Sequence, residues 1–242
     1  MHYDNIVSGH FVARPNRFIA EVEIDGELTR AHVKNTGRCK ELLVPGARVF
    51  LEDFDGRMGT RKMRYSLIGV EKEVASGSTE VAKLMINMDS QAPNHVVREA
   101  LEAGTLSLPG FGRASKVKWE HKYGDSRVDF YLENDNGDKG LVEVKGVTLE
   151  EDGVARFPDA PTQRGIKHIH ELQHAVHEGY YAAILFVIQM KPMKWFEPND
   201  VTHEAFGTAL RQADKSGVHV LAYDCNVTTN ELVLADPVEV RL

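Results

Sequence analysis

The sequence predicts a mixed α+β and α/β fold in two parts, a small β-barrel followed by a mixed sheet flanked by helices. Short strands separated by turn residues fill the first third of the chain. Near residue 90 the hydrophobic period changes from that of strands to that of helices. A continuous apolar run at residues 180–190 is typical of a strand covered on both faces. The 242 residues are enough for two modest domains, and we divide them into residues 1–86 and 87–242.

The first part alternates between apolar and polar residues in short runs. Phe18, Ala20 and Val22 share one side of the first run, and Asp25-Gly26 is a strong two-residue hairpin turn. Five predicted strands with little helix between them favour a barrel of the OB type, and an irregular β-sheet extension is the alternative. The predicted strands are residues 17–23, 27–33, 47–52, 64–70 and 81–86.

The second part predicts the order α-β-β-β-α-β-α-β, followed by two short edge strands. Pro93 suits the first turn of a helix, and Gly104 suits its end. Thr162 can cap the second helix, and Asp200 or Thr202 can cap the third. Antiparallel strands come first and helix-connected strands follow, as in a mixed sheet with helices on its faces. The edge strands are predicted at residues 231–234 and 238–242.

Composition narrows the class of protein. Hydrophobic residues make up 42% of the chain and charged residues 27%, which is ordinary for a globular protein. No apolar run is long enough for a membrane span, the N-terminus lacks a signal-peptide pattern, and Cys39 and Cys225 are too few for a disulfide framework. We therefore expect a cytoplasmic protein with no membrane partner. The net charge of −7 argues against passive coating of nucleic acid, but an enzyme with a local basic groove can carry it.

Residues 118–145 hold three short strands whose alternation sorts the side chains into two faces. A tight turn at Gly124-Asp125 would set Tyr123 opposite Ser126 and Glu120 opposite Asp129. The predicted apolar face comprises Val117, Trp119, His121, Tyr123, Val128, Phe130, Leu132, Val142 and Val144. The predicted ionisable face comprises Lys118, Glu120, Lys122, Arg127, Asp129, Tyr131, Glu143 and Lys145.

Acidic side chains that face one another on a sheet repel unless a cation or a proton lies between them. Asp129 and Glu143 therefore suit Mg²⁺ or Mn²⁺, which would keep positions open for water and a phosphate oxygen. Lys145 projects on the same side and can orient or deprotonate the water, or stabilise developing negative charge. Glu120 and Glu99 are candidates for further metal contacts. The alternative is a solvated salt-bridge face, which an isolated Glu-x-Lys usually forms.

Basic residues predict two contacts with nucleic acid. OB-type faces combine charges with aromatic residues, here Phe11 and Phe18. The basic cluster of the barrel comprises Arg14, Arg17, Lys34, Arg38 and Lys40. The second contact is a helical stripe in which Arg164 and Lys167 would clamp a phosphate, with an exposed helix face as the alternative. A zinc site is disfavoured, because the nearby histidines do not form H-E-x-x-H; they are His168, His170, His174 and His177.

Asp129, Glu143-Val144-Lys145 and the α-β-β-β-α-β order resemble the PD-(D/E)xK nuclease superfamily. The wider sequence is similar to the sugar fermentation stimulation protein family, SfsA, along nearly its whole length. The matching segments are Arg14-Pro15-Asn16-Arg17-Phe18, Asn35-Thr36-Gly37-Arg38, Leu42-Leu43-Val44-Pro45-Gly46, Arg64-Tyr65-Ser66-Leu67, Ser126-Arg127-Val128-Asp129-Phe130, residues 143–149 and residues 157–165. The resemblance implies an OB-like domain that binds nucleic acid and a PD-(D/E)xK-type mixed sheet. It also implies metal-dependent nuclease activity on DNA or RNA, and a proposed regulatory role in sugar, especially maltose, metabolism.

The sequence departs from the superfamily motif at one position. Val128 precedes Asp129 where the motif name has proline, and the literal Pro158-Asp159 lies beyond the Glu-x-Lys, where Asp159 can still border the site. The proline is the weakest element chemically, because the carboxylate is what binds metal. A nuclease that binds largely nonspecifically is the leading hypothesis. A noncatalytic DNA-binding regulator on a nuclease-derived fold and an enzyme acting on a small phosphate ester are alternatives. The choice between DNA and RNA stays open, as does a homodimer.

Overall fold

We describe the protein from a computed structural model, which describes residues 1–35, 37–76, 80–124 and 126–242. Thr36 of the Asn35–Arg38 segment and Asp125 of the predicted turn lie outside these residues. Within the described ranges, no helix has the length and apolar character that crossing a membrane would require.

The first sheet contains six strands, in the order β3-β2-β1-β4-β5-β6. A further parallel pairing between β3 and β5 closes β1 to β5 into a ring. Asp25 and Gly26 both have positive φ and turn the chain between β2 and β3, as predicted. The strands are β1 (Ile6–Asn16), β2 (Ile19–Ile24), β3 (Glu27–Val33), β4 (Arg48–Asp53), β5 (Tyr65–Ser76) and β6 (Glu80–Asn87).

Strand β1 is absent from the sequence-based prediction. Only Gly9 and Phe11 are buried along its length, so the strand lacks the alternating apolar residues that reveal its neighbours. Pairing with both β2 and β4 stabilises it instead. An added Cβ at Gly9 would come within 2.5 Å of the Glu23 carbonyl oxygen, which shows how closely β1 and β2 approach.

The second sheet is mixed, with the order β15-β14-β12-β9-β8-β7. β12 lies in its middle and runs parallel to both β9 and β14, while β7, β8 and β9 are antiparallel to one another. Helix α1 packs with apolar residues on one face, and α2 and α3 pack with those on the other. The strands are β7 (Ala114–Tyr123), β8 (Ser126–Asn134), β9 (Lys139–Val147), β12 (Tyr181–Ile188), β14 (His219–Val227) and β15 (Leu232–Pro237).

A small third sheet is also absent from the prediction. It consists of β10 (Leu149–Glu151), β11 (Val154–Phe157) and β13 (Trp195–Pro198), which are too short to show a hydrophobic period. The strand predicted at residues 238–242 is wrong, because the chain there makes only an isolated bridge between Val240 and Phe196 among the described residues.

The three helices begin close to their predicted positions. They are α1 (Ala92–Ala103), α2 (Gln163–His177) and α3 (Asp200–Lys215). Pro93 lies in the first turn of α1, and Gly104 ends it with φ of 70°. Thr162 Oγ1 accepts a hydrogen bond from Gly165 N at 3.0 Å and caps α2. The cap of α3 is Asn199 rather than Asp200 or Thr202.

Polar contacts join the first part of the chain to the second. Gln189, which follows β12, donates to Asn87 and to the Asp89 carbonyl. Lys72 of β5 donates to Glu150 of β10 at 2.6 Å. The first residues of the chain also pair with the second part, since Tyr3 N donates to the Asn230 carbonyl at 2.8 Å. The N-terminus therefore contacts residues far from it in sequence, and the division at residues 86 and 87 remains a prediction.

Candidate active site

Asp129 lies where β8 separates from β9. The ladder between these strands runs only as far as the pair Phe130 and Val142. Beyond it the Asp129 carboxylate replaces the backbone partner, because Oδ2 accepts a hydrogen bond from Val144 N at 2.7 Å. Oδ1 accepts from Asn94 Nδ2 of α1 at 2.9 Å. The gap between the strands thus holds a carboxylate with a fixed orientation.

Glu143 and Lys145 project together from β9, as predicted, and both face α2. Lys145 Nζ donates to Glu143 Oε1 at 2.5 Å. His168 Nδ1 of α2 contacts the same oxygen. Glu143 is only 3% exposed, so its charge depends on these partners for stabilisation. Among the described residues Oε2 has no hydrogen-bond partner, so that oxygen remains free to bind a ligand.

Helix α2 continues this arrangement to the surface. Arg164 Nε donates to His168 Nε2 at 3.3 Å. A guanidinium can only donate, so Nε2 is the acceptor nitrogen of His168 and the proton on Nδ1 points at Glu143. The resulting chain runs from the exposed Arg164 through His168 to the buried Glu143.

The two carboxylates have opposite pKa shifts. Burial, followed by the negative charge of Glu143, raises the pKa of Asp129 above its ordinary value. Burial alone would also raise the pKa of Glu143. The hydrogen bond from His168 and the charge of Lys145 overcome it, so that the pKa of Glu143 lies below its ordinary value. Asp129 is therefore the carboxylate that a further positive charge would stabilise most.

The donor set is compatible with a hard divalent cation. In the part of the chain that the structure describes, no three His, Cys, Asp or Glu side chains are grouped closely enough to form a metal site by themselves. Two nearby carboxylates, one with a free oxygen, nevertheless suit an ion that takes oxygen ligands and keeps several waters. Asp129 and Glu143 are the residues that could hold such an ion.

The structure does not bring the other two predicted acids into this cluster. The flanking pairs Trp119–Phe130 and His121–Val128 set Glu120 across from Asp129 as expected. However, Glu120 has a positive φ, and its exposed carboxylate lies 3.8 Å from Arg127. Glu99 lies farther along α1, where its carboxylate accepts a hydrogen bond from the Met1 amino group at 2.7 Å. Glu120 was predicted from the hairpin register and strict alternation, which the left-handed backbone at Glu120 interrupts. Glu99 was predicted only from its place on the helix before the strands, which does not set side-chain direction.

The predicted two-face pattern is wrong at the middle of β7 and β8. Phe130 and Leu132 pack in the α1 cluster, as Val142 and Val144 do, but Val128 and Tyr131 pack in the cluster that contains α2. The alternation therefore shifts at Asp129, opposite the left-handed backbone of Glu120. Trp119, which was expected in the apolar face, is 52% exposed.

The basic cluster predicted in the barrel divides into structural and exposed residues. Arg14 donates hydrogen bonds to four backbone carbonyls, those of Arg17, Asn35, Gly37 and Arg38. Lys34 pairs with the buried Asp89 at 2.9 Å. Both cations thus stabilise the fold. Arg17, Arg38 and Lys40 are exposed, and the Arg17 guanidinium lies over the Phe18 ring. Phe11, the other aromatic residue proposed for base contact, is buried.

The two basic residues of the predicted helical stripe have different surroundings. Arg164 contacts the site through His168, as described above. Lys167 is 59% exposed and lies 3.6 Å from Glu171, one turn farther along α2. The structure therefore gives Lys167 an i,i+4 ion pair on the helix surface, which is the exposed-face alternative.

Two segments from distant parts of the sequence meet beside the site. Arg38 N donates to Asp159 Oδ2 at 3.3 Å, and an added Cβ at Gly37 would lie 2.5 Å from the same oxygen. A larger residue at position 37 would therefore displace the Asp159 carboxylate. A cavity of about 110 Å³ lies here, and its lining includes Asn35, Asp159 and Gly146, the residue after Lys145. The Pro158-Asp159 segment thus borders the site without entering the carboxylate cluster.

Sequence reasoning missed Asn94 and gave His168 a less specific role. Asn94 carries no periodic signal, since it is one polar residue in the first turn of α1. His168 was considered among the histidines of the disfavoured zinc site, although its spacing from Leu172, on the face of the helix that is buried, was an available signal.

The chain matches two family models along its length. Residues 91–231 match the sugar fermentation stimulation protein RE domain, and residues 12–79 match the SfsA N-terminal OB domain. Together with the ring of strands, the second match confirms the predicted OB-like domain.

Relatives and a solved structure agree with these models. A "sugar fermentation stimulation protein homolog" from Desulfitobacterium hafniense (strain DSM 10664 / DCB-2) is 52% identical, covering 100% of this chain and 99% of that protein. A protein of the same description from Ruminiclostridium cellulolyticum is 50% identical, with 100% of both chains covered. The structure of Pyrococcus furiosus SfsA in complex with Ca²⁺ superposes with a TM-score of 0.84 at 27% identity, covering 100% of this chain and 98% of that one. The chain therefore belongs to the sugar fermentation stimulation protein family, SfsA.

Proposed function

We propose that this protein is a divalent-metal-dependent nuclease that hydrolyses phosphodiester bonds in DNA, RNA or both and binds nucleic acid largely without sequence preference. The observation that carries the proposal is the convergence of Asp129, Glu143 and Lys145 in the gap between β8 and β9. Two carboxylates that can hold a divalent ion, beside a lysine amine, can supply the charge neutralisation and the water activation that phosphodiester hydrolysis needs. The solved relative in complex with Ca²⁺ supports the divalent ion, because Ca²⁺, Mg²⁺ and Mn²⁺ all favour oxygen ligands.

Asp129 and Glu143 would hold the ion through carboxylate oxygens. When bound, a divalent ion activates water and neutralises charge on the phosphate. The Val144 N–H and Asn94 orient Asp129 for this task. Each of its oxygens accepts one hydrogen bond in the structure and has a further lone pair available.

Lys145 and α2 would act on the phosphate and the attacking water. Lys145 Nζ lies 2.5 Å from Glu143 and can move or hold a proton at the water, or donate to the phosphate as negative charge develops. His168 keeps Glu143 oriented, and Arg164 stands at the exposed end of the same chain, where a guanidinium suits phosphate oxygens.

A cleavage assay with matched variants tests the proposal. Labelled single- and double-stranded DNA and RNA are incubated with Mg²⁺, Mn²⁺, Ca²⁺ or EDTA. We expect cleavage that requires metal and falls about a hundredfold or more in Asp129→Asn and in Lys145→Met. Asp135→Asn, in the loop after β8, and Lys139→Met, on β9 itself, are exposed controls that should retain activity.

Two outcomes would contradict the nuclease. Cleavage that survives both Asp129→Asn and Lys145→Met would place the activity elsewhere. Binding of DNA without metal, together with no cleavage of any substrate, would favour a noncatalytic DNA-binding regulator.

The relatives' description names sugar fermentation, and we propose that the activity is linked to the regulation of sugar metabolism, including that of maltose. If the link depends on catalysis, cells carrying Lys145→Met should show the same change in growth on maltose as cells lacking the gene. Cells carrying Lys139→Met should grow normally. Normal growth of the Lys145→Met cells would separate regulation from cleavage.

A further inference from the structure

An exposed tryptophan lies beside the candidate active site. Trp119 is on β7, the edge strand of the second sheet, and pairs with Phe130, the residue after Asp129. Directly paired residues on antiparallel strands have Cα atoms about 5 Å apart, so the backbone of Trp119 lies close to that of Asp129. Arg98, which contacts the Trp119 ring, lies one turn along α1 from Asn94, which donates to Asp129. Tryptophan carries the largest apolar surface of any side chain, and 52% exposure leaves one of its faces or edges open to a ligand.

The surroundings of the ring are cationic. The Arg98 guanidinium of α1 lies 4.8 Å from the ring centroid. Exposed Lys118 and Lys122 flank the tryptophan along β7, and Lys118 has no carboxylate within ion-pair distance among the described residues. These side chains line an open depression of about 430 Å³. Two acids, Glu102 and Glu120, are already paired with Arg98 and Arg127.

The edge of a second copy of the sheet would pair poorly with strand β7. An exposed edge can pair with a second copy of the chain, but charged side chains and bulges prevent such pairing. Lys118 and Lys122 repeat along β7, and the left-handed backbone of Glu120 interrupts it. A polyanion whose flat groups can stack on indole is a better match in charge and shape.

We propose that Trp119, with Arg98, Lys118 and Lys122, forms a stacking platform for an unpaired base next to the scissile phosphate. The inference rests on the proposed nuclease function and names its preferred substrate class, single-stranded nucleic acid or a single-stranded end beside a duplex. Bases within a duplex are already stacked on one another and would have to be extruded to reach the ring. The basic side chains contact the backbone on either side of the stacked base.

Fluorescence of Trp119 itself tests the platform. The chain has one other tryptophan, Trp195, on β13 with Arg241 and Glu197 as neighbours. In a Trp195→Phe background, with EDTA to prevent cleavage, short single-stranded DNA and RNA oligonucleotides should quench the emission. The quench should saturate with the dissociation constant given by fluorescence anisotropy of a labelled oligonucleotide. Blunt duplex of the same length should bind without the quench.

Substitutions give a second, independent measurement. Trp119→Ala should weaken binding of single strands about 5- to 100-fold, the range found when one base-stacking aromatic is removed, and Trp119→Phe should restore most of it. Blunt duplex binding should change little. Lys118→Ala should instead reduce the magnitude of the slope of log affinity against log salt concentration by about one. Lys62 is an exposed lysine of the barrel, and Lys62→Ala should leave this slope unchanged.

The outcomes separate this inference from the proposed function. Saturable binding with no quench, or Trp119→Ala binding single strands like the parent, would overturn the platform even if metal-dependent cleavage is found. A quench and an affinity loss without cleavage in any metal would support the platform and overturn the nuclease. Absence of binding to every oligonucleotide would overturn both.

Discussion

At the scale of single residues, Asp129 has a structural role beside the metal-binding role that we propose for it. Its carboxylate accepts the hydrogen bond from Val144 N that a backbone carbonyl of β8 would accept in a regular sheet. The backbones of β8 and β9 are therefore not paired beside Glu143. The other oxygen of Asp129 is fixed by Asn94. Removing a group that orients a metal ligand in this way commonly lowers metal affinity or activity 10- to 100-fold.

Asn94→Ala should therefore raise the metal concentration needed for half-maximal cleavage by about tenfold or more, because Asp129 loses its hydrogen bond from α1. The variant should still fold, since one hydrogen bond to a charged group contributes about 1.5–3 kcal/mol. Metal titrations of the cleavage rate give the measurement, and His95→Ala, exposed on the same turn, is the control. An unchanged metal dependence would show that Asn94 does not position Asp129.

At the scale of elements, an ion pair joins the start of β5 to the end of β4. Arg64 donates to both oxygens of Asp53, at 2.7 and 2.6 Å. These hydrogen bonds hold the pKa of Asp53 below its ordinary value. The two strands are neighbours within the ring that β3 and β5 close, so this pair stabilises one edge of the barrel.

Arg64→Met should lower the free energy of unfolding near neutral pH, by less than the loss of a fully buried pair would, because the arginine is half exposed. The folded-state pKa of Asp53 is depressed, so this stabilisation is present above the unfolded value of about 3.9 and is lost as the pH falls through the folded value. Urea unfolding of both proteins across acidic pH measures it. The difference between them should shrink at low pH, and a gap that stays constant would contradict the linkage.

The elements that the sequence predicted well are those with a strong period or a clear stop signal. The three helices, the hairpin at Asp25-Gly26 and the buried β12 all belong to this group. β1 and the third sheet were missed because distant pairing stabilises them rather than local pattern. The shift in alternation at Glu120 and Asp129 was missed because strict period-two counting assumes a regular strand. The irregularity lies where the ladder between β8 and β9 ends, beside the gap at Asp129.

At the scale of the whole molecule, the site lies where the two sheets meet. Sequence alone identified the segments around Asn35, Asp129, Glu143 and Asp159, and placed Glu143 and Lys145 on one side of a strand. It could not show that Asp159 contacts the backbone of Arg38, or that Arg14 holds this segment in place. The first contact joins residues 121 positions apart and depends on how the barrel packs against the mixed sheet. The second joins residues 24 positions apart that the chain brings together only when the barrel folds.

Polar contacts across this boundary should make the two parts unfold together. Glu150 is 2% exposed, and Lys72 of the barrel is its cationic partner. Removing one member of a buried pair leaves an uncompensated charge, so Lys72→Met should cost about 3–5 kcal/mol of unfolding free energy. Adding Glu150→Gln should recover a large part of the loss, because the unpaired charge is then absent. Lys83→Met removes the ion pair between the exposed Lys83 of β6 and Glu71 of β5, and should cost under about 1 kcal/mol of unfolding free energy.

Urea unfolding, followed by fluorescence of Trp195 in the second part and by far-ultraviolet circular dichroism of the whole chain, measures these changes. Parent protein should give coincident transitions with both probes. In Lys72→Met the barrel loses its charged contact with β10, so the two transitions should shift together if the boundary is cooperative. Separate transitions in the parent would mean that the barrel and the mixed sheet are stable independently. The approach of Arg38 to Asp159 would then depend on a weakly held interface rather than on the fold as a whole.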